Sequence, residues 1–402
     1  MRPPPASGSL RQAVILAGGR GERLKPLTDT LPKPMIEFHG RPFLEYLVEL
    51  IRSQGLKEVL LLLGYLPGPI QEHLGDGSRF GVRIEYAVTR PEDLTSARLL
   101  EARDRLDPTF LMLYCDNYWP MSLDRLWARY VEARAPAIVT IYRNADGHSR
   151  DNVRLDGDGF VVEYDRTRKT PGLRGTEIGF AILRRDLLDI LPDGSTQIEE
   201  GLYPVLAQDH RLAAFVTDHR YYSVGSLERL PITERFLERR PTVFLDRDGV
   251  LNRRPPVAGY VRRPEDVEWL PGALEAVRRL TDAGVRLIVV SNQAGVARQA
   301  MTMANLAAVE ERMRADVTAA GGRIELFLYC PHGWDDGCDC RKPRPGMLYE
   351  AQRRFDLDLS RTPFVGDDER DGQAAEAAGC PFLLVTDNCA LSDLATQLIA
   401  RG

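Results

Sequence analysis

At 402 residues, with 44% hydrophobic and 28% charged side chains, the chain exceeds one ordinary core and reads as a globular protein of two domains. A formal net charge of -5, with Arg and Lys spread rather than massed, gives no reason to expect nucleic-acid binding. No apolar run approaches a membrane span, the first ten residues lack the apolar segment of a signal peptide, and six cysteines do not make a secreted disulfide framework; together these point to the cytoplasm.

In chain order, residues 1–11 read as a disordered tail, proline-rich at its start. Strand-like apolar runs follow at 13–16, 59–63, 84–88, 110–114 and 137–142, with an amphipathic helix over 43–53. Between 153 and 183 the runs are shorter and broken by the Asp-Gly-Asp-Gly turn at 156–159, which predicts an antiparallel excursion able to cover a sugar site. A charged stretch ending in Pro241 puts the domain boundary near 238, giving domains of 12–237 and 238–402. In the second domain, strands are expected to end near Asp246, Ser291, Cys330, Asp367 and Thr386, with helices near 272–283 and 303–319. Strands alternating with helices in both halves predict α/β layers around a mainly parallel sheet.

The run from Leu16 to Thr28 carries Gly18, Gly19 and Gly21 directly after an apolar strand, followed by Pro32-Lys33-Pro34. A loop of this kind lets backbone amides approach phosphate oxygens, because glycine has no side chain and tolerates positive φ. Arg23 and Lys33 add two cations for the charge that develops during phosphoryl transfer. Residues 12–237 resemble the sugar-1-phosphate nucleotidyltransferase family, above all guanylyltransferases acting on mannose or heptose phosphates. The resemblance implies GTP (or ATP) as co-substrate, Arg23 and Lys33 at the phosphates, and Asp116 as a magnesium ligand at a strand end. Four positions depart from the family pattern. Ser223-Val-Gly-Ser226 stands where the second metal-binding aspartate is usual, and Asp93 to Ala97 replaces a Gly-rich loop. Asp165-Arg166 stands for a Glu-Lys-Pro segment, and Glu177 for an asparagine. Either the site works with one carboxylate ligand and an arginine at the sugar phosphate, or it binds a sugar nucleotide without turning it over.

Beyond the midpoint, Asp246 and Asp248 follow the apolar run 242–245, two residues apart and so on one side of an extended strand. One carboxylate of such a pair attacks phosphorus while the other protonates the leaving oxygen and then activates water. Ser291-Asn292-Gln293, Arg341-Lys342-Pro343 and Gly366-Asp367 to Asp371 lie where later strands should end, the side of an open α/β sheet on which sites collect. This order of motifs resembles the haloacid dehalogenase superfamily. The resemblance implies Asp246 as nucleophile and Asp248 as general acid/base, with Ser291 and Lys342 on the transferred phosphate and Asn292 assisting. It also implies magnesium at Asp246, the Asp248 carbonyl and Asp367, with Asp371 orienting the surrounding groups.

Cys330, His332, Cys338 and Cys340 offer four ligands in eleven residues, enough for a closed, structural zinc site beside Arg341-Lys342. With that loop, the runs 246–252, 291–298 and 340–347 resemble the D-glycero-D-manno-heptose 1,7-bisphosphate 7-phosphatases; histidinol-phosphate phosphatases are the alternative. By the same resemblance Arg341 contacts substrate, as does the segment around Tyr260 and Arg262. The expected fold is a Rossmann-like mixed sheet of the nucleotidyltransferase kind, then a doubly wound parallel sheet with a zinc loop. The expected activity is bifunctional. The phosphatase removes the 7-phosphate of heptose bisphosphate, and the first domain activates heptose 1-phosphate, with GDP-heptose favoured over ADP-heptose, for surface polysaccharide or glycoprotein assembly.

Overall fold

The computed structural model describes residues 10–192, 194–256 and 259–401, so most of the expected N-terminal tail lies outside the described residues. Contacts divide the chain into two compact units, the division falling between Leu237 and Glu238.

The first unit is built on seven strands: β1 (Gln12–Ala17), β2 (Glu58–Leu63), β3 (Arg83–Val88), β4 (Thr109–Tyr114), β5 (Ala137–Tyr142), β6 (Thr176–Arg184) and β7 (Leu212–Thr217). Their order across the sheet is β7-β5-β6-β4-β1-β2-β3. Strand β6 runs antiparallel to both neighbours, and every other adjacent pair is parallel. The central strands carry unbroken apolar sequence because both faces are covered. Ala13, Ile15 and Ala17 pack with Val59, Leu61 and Leu63 in one core, while Val14 and Leu16 pack with Leu60 and Leu62 in the other. Helix α1 (Phe43–Ser53) buries Phe43, Leu44, Leu47, Val48 and Ile51, the three-and-four spacing of one face.

One expectation needs correction here. The stretch 153–183 is not wholly a side excursion: Val153–Leu155 and Val161–Tyr164 form a small antiparallel hairpin, but β6 is a nine-residue strand of the main sheet. Its apolar run is interrupted by Gly179 (φ 82°) within a register shift between Glu177 and Ala181, a bulge that hides the strand from pattern reading. Where the family's Gly-rich loop is replaced by Asp93 to Ala97, helix α2 (Thr95–Glu101) begins two residues after Asp93.

The second unit is a five-stranded, wholly parallel sheet: β8 (Thr242–Leu245), β9 (Arg286–Asn292), β10 (Leu326–Cys330), β11 (Phe364–Gly366) and β12 (Phe382–Leu384). The order is β10-β9-β8-β11-β12, so the chain reverses direction across the sheet between β8 and β11. Helices α3 (Ala273–Asp282), α4 (Met303–Ala319), α5 (Gly346–Phe355), α6 (Glu369–Ala378) and α7 (Leu391–Arg401) connect and cover it. Val243 and Leu245 face one core and Phe244 the other; in β9, Leu287 and Val289 alternate with Ile288 and Val290 in the same way. The last strand ends at Leu384, two residues short of Thr386, which instead pairs with Cys389 in an isolated bridge. Among the described residues no helix is long and apolar enough to cross a membrane.

Candidate active sites

In the second unit the carboxyl ends of β8, β9 and β11 converge on a cavity of about 410 Å³ lined by Asp246, Asp248, Ser291, Asn292, Arg341 and Lys342, among others. Asp246 is the first residue after β8, and its amide donates to the Val365 carbonyl of β11 (2.9 Å). Asp248 reaches the same cavity through the turn that follows β8 rather than through strand alternation, because the strand has already ended at Leu245. Gly249 makes that turn possible. It sits at φ 99°, and a Cβ there would lie 1.7 Å from an Asp367 carboxylate oxygen.

Lys342 is the electrostatic centre of the site. Its ammonium lies 3.0 Å from Asp246 and 2.7 Å from Asp371, and donates to the Val290 carbonyl at 2.9 Å. Burial works against that charge, but Asp246 and Asp371 outweigh it and hold Lys342 above the ordinary lysine value. Asn292 fixes the lysine's backbone from both sides: its amide donates to the Lys342 carbonyl and its oxygen accepts from the Lys342 amide, each at 3.0 Å. Asp371 also accepts from the Asp368 amide (3.3 Å), closing the N-terminus of α6.

The two aspartates of the Asp-x-Asp pair differ. Burial pushes the Asp246 carboxyl above the usual carboxylate range, against the pull of Lys342. Burial acts the same way on Asp248, yet Arg247, Asn252 and Gln293 hold it below that range. Arg247 is fully buried and contacts both Asp248 oxygens (2.8 and 3.2 Å), and Asn252 and Gln293 each donate at 2.8 Å. Arg247 and Gln293 were not expected in these roles. Nothing in the sequence separates a buried arginine beside an aspartate from an exposed one. Of the three residues expected by resemblance near the substrate, Arg341 and Tyr260 line the cavity, Tyr260 receiving a hydrogen bond from Arg298 (3.0 Å), whereas Arg262 is absent from the lining.

Asp246, Asp367 and Asp371 bring carboxylate oxygens within 4.8 Å of one another, a hard-oxygen donor set suited to a small divalent cation. Asp367 also lies 2.8 Å from Arg254, and its carboxyl is raised by burial. Cys330, His332, Cys338 and Cys340 form a second such group. The Cys330 and Cys338 sulfurs are 3.7 Å apart, and His332 Nδ1 lies 3.2 Å from the Cys340 sulfur. A tetrahedron with ~2.3 Å metal–sulfur bonds has edges of about 3.8 Å, so the spacing fits four ligands around one ion.

In the first unit, a polar cavity of about 590 Å³ is lined by Arg23, Asp116, Tyr164, Glu177, Glu199 and Ser223, among others. Asp116 lies just beyond β4, and the short pairing of Asn117–Tyr118 with Tyr222–Ser223 sets Ser223 opposite Asn117, next to it. Burial disfavours the Asp116 charge, but Lys33 and Arg23 hold the carboxyl below its ordinary value, with Lys33 in direct ion contact. Lys33, Gly18, Gly19 and Gly21 do not line this cavity. Of the three glycines only Gly21 has positive φ (67°). Gly18 serves another purpose: a Cβ there would lie 2.2 Å from the Arg98 guanidinium. Arg98, buried on α2, donates to the carbonyls of Leu63 (2.7 Å), Gly18 (3.1 Å) and Arg90 (3.2 Å), bracing the glycine loop from behind. Sequence reading missed it.

The cavity floor is acidic and phenolic. Glu177 accepts from the Gly179 amide (2.5 Å) and Tyr164 Oη (3.3 Å), and burial with nearby Glu199 pushes its carboxyl up to about 8. Tyr114 and Glu199 line the cavity within reach of each other. With Tyr164 and Glu177 they give the cavity a lining of phenols and carboxyls, the donor and acceptor chemistry that suits a hydroxyl-rich ligand.

Comparison with known proteins follows the same division. A family model described as Nucleotidyl transferase matches residues 12–152, and one described as HAD-hydrolase-like matches residues 339–399. A Bacillus anthracis protein described as a glucose-1-phosphate thymidylyltransferase, solved with sucrose, superposes with a TM-score of 0.50 at 16% identity. That match covers 56% of this chain and 94% of the other, a likeness of fold alone. D-glycero-beta-D-manno-heptose-1,7-bisphosphate 7-phosphatase of Bordetella bronchiseptica is 44% identical over 147 residues, 36% of this chain and 81% of that protein. The Pseudomonas aeruginosa protein of the same name is 43% identical over 146 residues, with the same coverage. At that identity, over four-fifths of its relatives' length, the chain belongs to the D-glycero-beta-D-manno-heptose-1,7-bisphosphate 7-phosphatase family.

Proposed function

We propose that the chain is a bifunctional enzyme of nucleotide-activated heptose synthesis. The second unit removes the 7-phosphate of D-glycero-D-manno-heptose 1,7-bisphosphate. The first, spanning 12–237, transfers a nucleoside monophosphate from a triphosphate to the resulting heptose 1-phosphate, releasing pyrophosphate. One observation carries the reading: membership of the heptose bisphosphate phosphatase family and a nucleotidyl transferase match occur on one chain, and the product of the first reaction is an acceptor for the second.

In the phosphatase, Asp246 attacks the phosphorus and the bond to the sugar oxygen breaks. That oxygen takes a proton from Asp248, and an aspartyl phosphate remains. Asp248 then removes a proton from water, which attacks the same phosphorus and restores Asp246; the phosphate leaves with that proton, returning Asp248 to its ionised form. Arg247, Asn252 and Gln293 hold the resting Asp248 ionised, so the first proton arrives with the substrate phosphate as its monoanion. Ser291 and Lys342 hold the transferred group, Asn292 holds Lys342, and Arg341 faces the sugar. Magnesium, which Asp246, Asp367 and the Asp248 carbonyl would hold, supplies neutralisation of the phosphate charge. Zinc at Cys330, His332, Cys338 and Cys340 would pin the loop that leads into Arg341-Lys342.

In the first unit the phenols and carboxyls lining the cavity suit the hydroxyls of a sugar, and Arg23 and Asp116 line the same cavity at hand for its phosphate. Asp116 would hold magnesium once Lys33 turns to the triphosphate. GMP is favoured over AMP on the resemblance to guanylyltransferases. Ser223 beside Asp116 motivates a second reading, in which this unit binds a sugar nucleotide without turnover.

The test is mass spectrometry of the purified chain with magnesium, each anomer of heptose 1,7-bisphosphate separately, and GTP or ATP. A GDP- or ADP-heptose peak establishes both activities. Heptose 1-phosphate accumulating with the triphosphates intact leaves the phosphatase and refutes the transferase. Faster hydrolysis of histidinol phosphate than of heptose bisphosphate would refute the proposed substrate.

A further inference from the structure

The sugar cavity of the first unit is walled by four arginines, Arg23, Arg166, Arg168 and Arg229. Arg166 is tied to Glu200 at 2.6 Å, and both side chains are half exposed. Arg229 is held differently. Its Nη2 donates to the His148 carbonyl (3.1 Å), its Nη1 lies 3.4 Å from His148 Nε2, and its guanidinium carbon sits 5.3 Å from the Tyr221 ring centre. Among the described residues no carboxylate pairs with it.

The bracket that holds it is itself fixed. The His148 ring packs edge-on against both Tyr142 (6.2 Å) and Tyr221 (5.8 Å). Tyr142 donates to Asp146 (2.5 Å), which also receives Arg220 (2.6 Å). Burial and the neighbouring Arg229 and Arg220 push the imidazole down to about 4, so His148 stays neutral at physiological pH and its Nε2 serves the Tyr221 carbonyl (3.2 Å).

A guanidinium carries five N–H donors in a planar fork that matches phosphate oxygens. With Nη2 engaged by the His148 carbonyl, the Tyr221 ring beside it and no anion paired with it, Arg229 presents an anchored, uncompensated cation to the cavity. The glycine loop and Lys33 lie outside that lining, and the floor is built for hydroxyls. The anion that enters is therefore the phosphate of the hydroxylated acceptor rather than the triphosphate.

We propose that Arg229 binds the phosphate of the acceptor sugar phosphate in the first unit, with Tyr221 and His148 as its positioning residues, and that Arg166 is dispensable for this. The inference rests on reading this cavity as the acceptor site.

The test is calorimetric titration of the full-length chain with heptose 1-phosphate, alongside pyrophosphate release and phosphatase turnover. Arg229→Met is expected to weaken binding about 10- to 100-fold, the usual range for losing a hydrogen bond between charged groups. Arg166→Met should change it less than about 3-fold, in the range of exposed ion pairs. Tyr221→Leu should weaken binding while Tyr221→Phe, which keeps the ring, should not. If Arg229→Met folds poorly, as a lowered melting temperature would reveal, Arg229→Lys keeps the charge without the fork and should bind with intermediate affinity. Unchanged affinity in Arg229→Met, or a larger loss in Arg166→Met, overturns the proposal. Wild-type binding that Arg229→Met loses, without pyrophosphate release, upholds Arg229 while refuting the transferase, and absence of wild-type binding refutes both.

Discussion

Replacing Lys342 with methionine keeps the stem of the side chain and removes one charge. In the folded unit that charge lies between Asp246 (3.0 Å) and Asp371 (2.7 Å), with the lysine side chain only 3% exposed. Two buried carboxylates would be left facing each other. Breaking a buried ion pair by deleting one partner typically destabilises by about 3–5 kcal/mol, because the survivor stays buried and charged. For a unit of this size about 2–4 °C of melting temperature accompanies each kcal/mol, so Lys342→Met should lower the melting point by about 6–20 °C in chelator. Magnesium should restore part of the loss, since a divalent ion at Asp246 and Asp367 replaces some of the missing positive charge. Adding Asp371→Asn removes one of the stranded carboxylates and should recover most of the stability without recovering phosphatase turnover. The assay is differential scanning calorimetry of the full chain with and without magnesium, followed by phosphate release. If Lys342→Met melts within about 2 °C of wild type in chelator, or if Asp371→Asn restores nothing, the electrostatic account of this lysine is wrong.

Three further outcomes follow from other sites. Arg98→Met strands the carbonyls of Gly18, Leu63 and Arg90 and should reduce pyrophosphate formation at least about 10-fold with the phosphatase unchanged; equal loss of both activities would point to general misfolding instead. Glu177 has a folded value of about 8 against an ordinary 4.5, so the stability it contributes as a neutral acid is full below pH 4.5 and is lost as pH rises through 8. Wild type should therefore lose up to about 1.4 kcal/mol per pH unit across that window relative to Glu177→Gln, and parallel melting curves from pH 5.5 to 8.5 would contradict the raised value. Elemental analysis should find zinc in the purified chain and none after Cys338→Ser, with a lower-melting phosphatase unit; equal zinc in both proteins would remove the cluster as its site.

What the sequence made legible depended on whether a residue's role was encoded near it. The strands could be read because parallel strands covered on both faces are continuous apolar runs, and α1 because its apolar spacing is helical. Strand β6 escaped because Gly179 and its bulge break the run where the strand turns past Tyr114. Among the candidate site residues, Asp246, Ser291 and Lys342 stood out because strand ends of one sheet bring separate motifs together. Arg98, Arg247, Gln293 and Arg229 did not. Each is an ordinary polar residue until the fold supplies distant carbonyls, carboxylates or rings around it. The acidic and phenolic floor likewise draws Tyr114 from β4, Tyr164 from the hairpin, Glu177 from β6 and Glu199 from a helical segment. No local pattern announces such a meeting.

The two-faced burial of β8 has a consequence for how this chain can change. Val243 and Leu245 point into one core and Phe244 into the other, so a slip of one residue would exchange apolar for apolar. Polarity, which fixes the register of a half-wet strand, is silent here. The penalty comes instead from the end of the strand: such a slip would draw the Asp246 carboxylate into the hydrophobic layer, away from Lys342. The same carboxylate that attacks phosphate thereby acts as the stop that keeps its own strand in frame. Insertions should be tolerated before Thr242 far better than between Leu245 and Gly249, and a library of single-residue insertions would map that asymmetry directly.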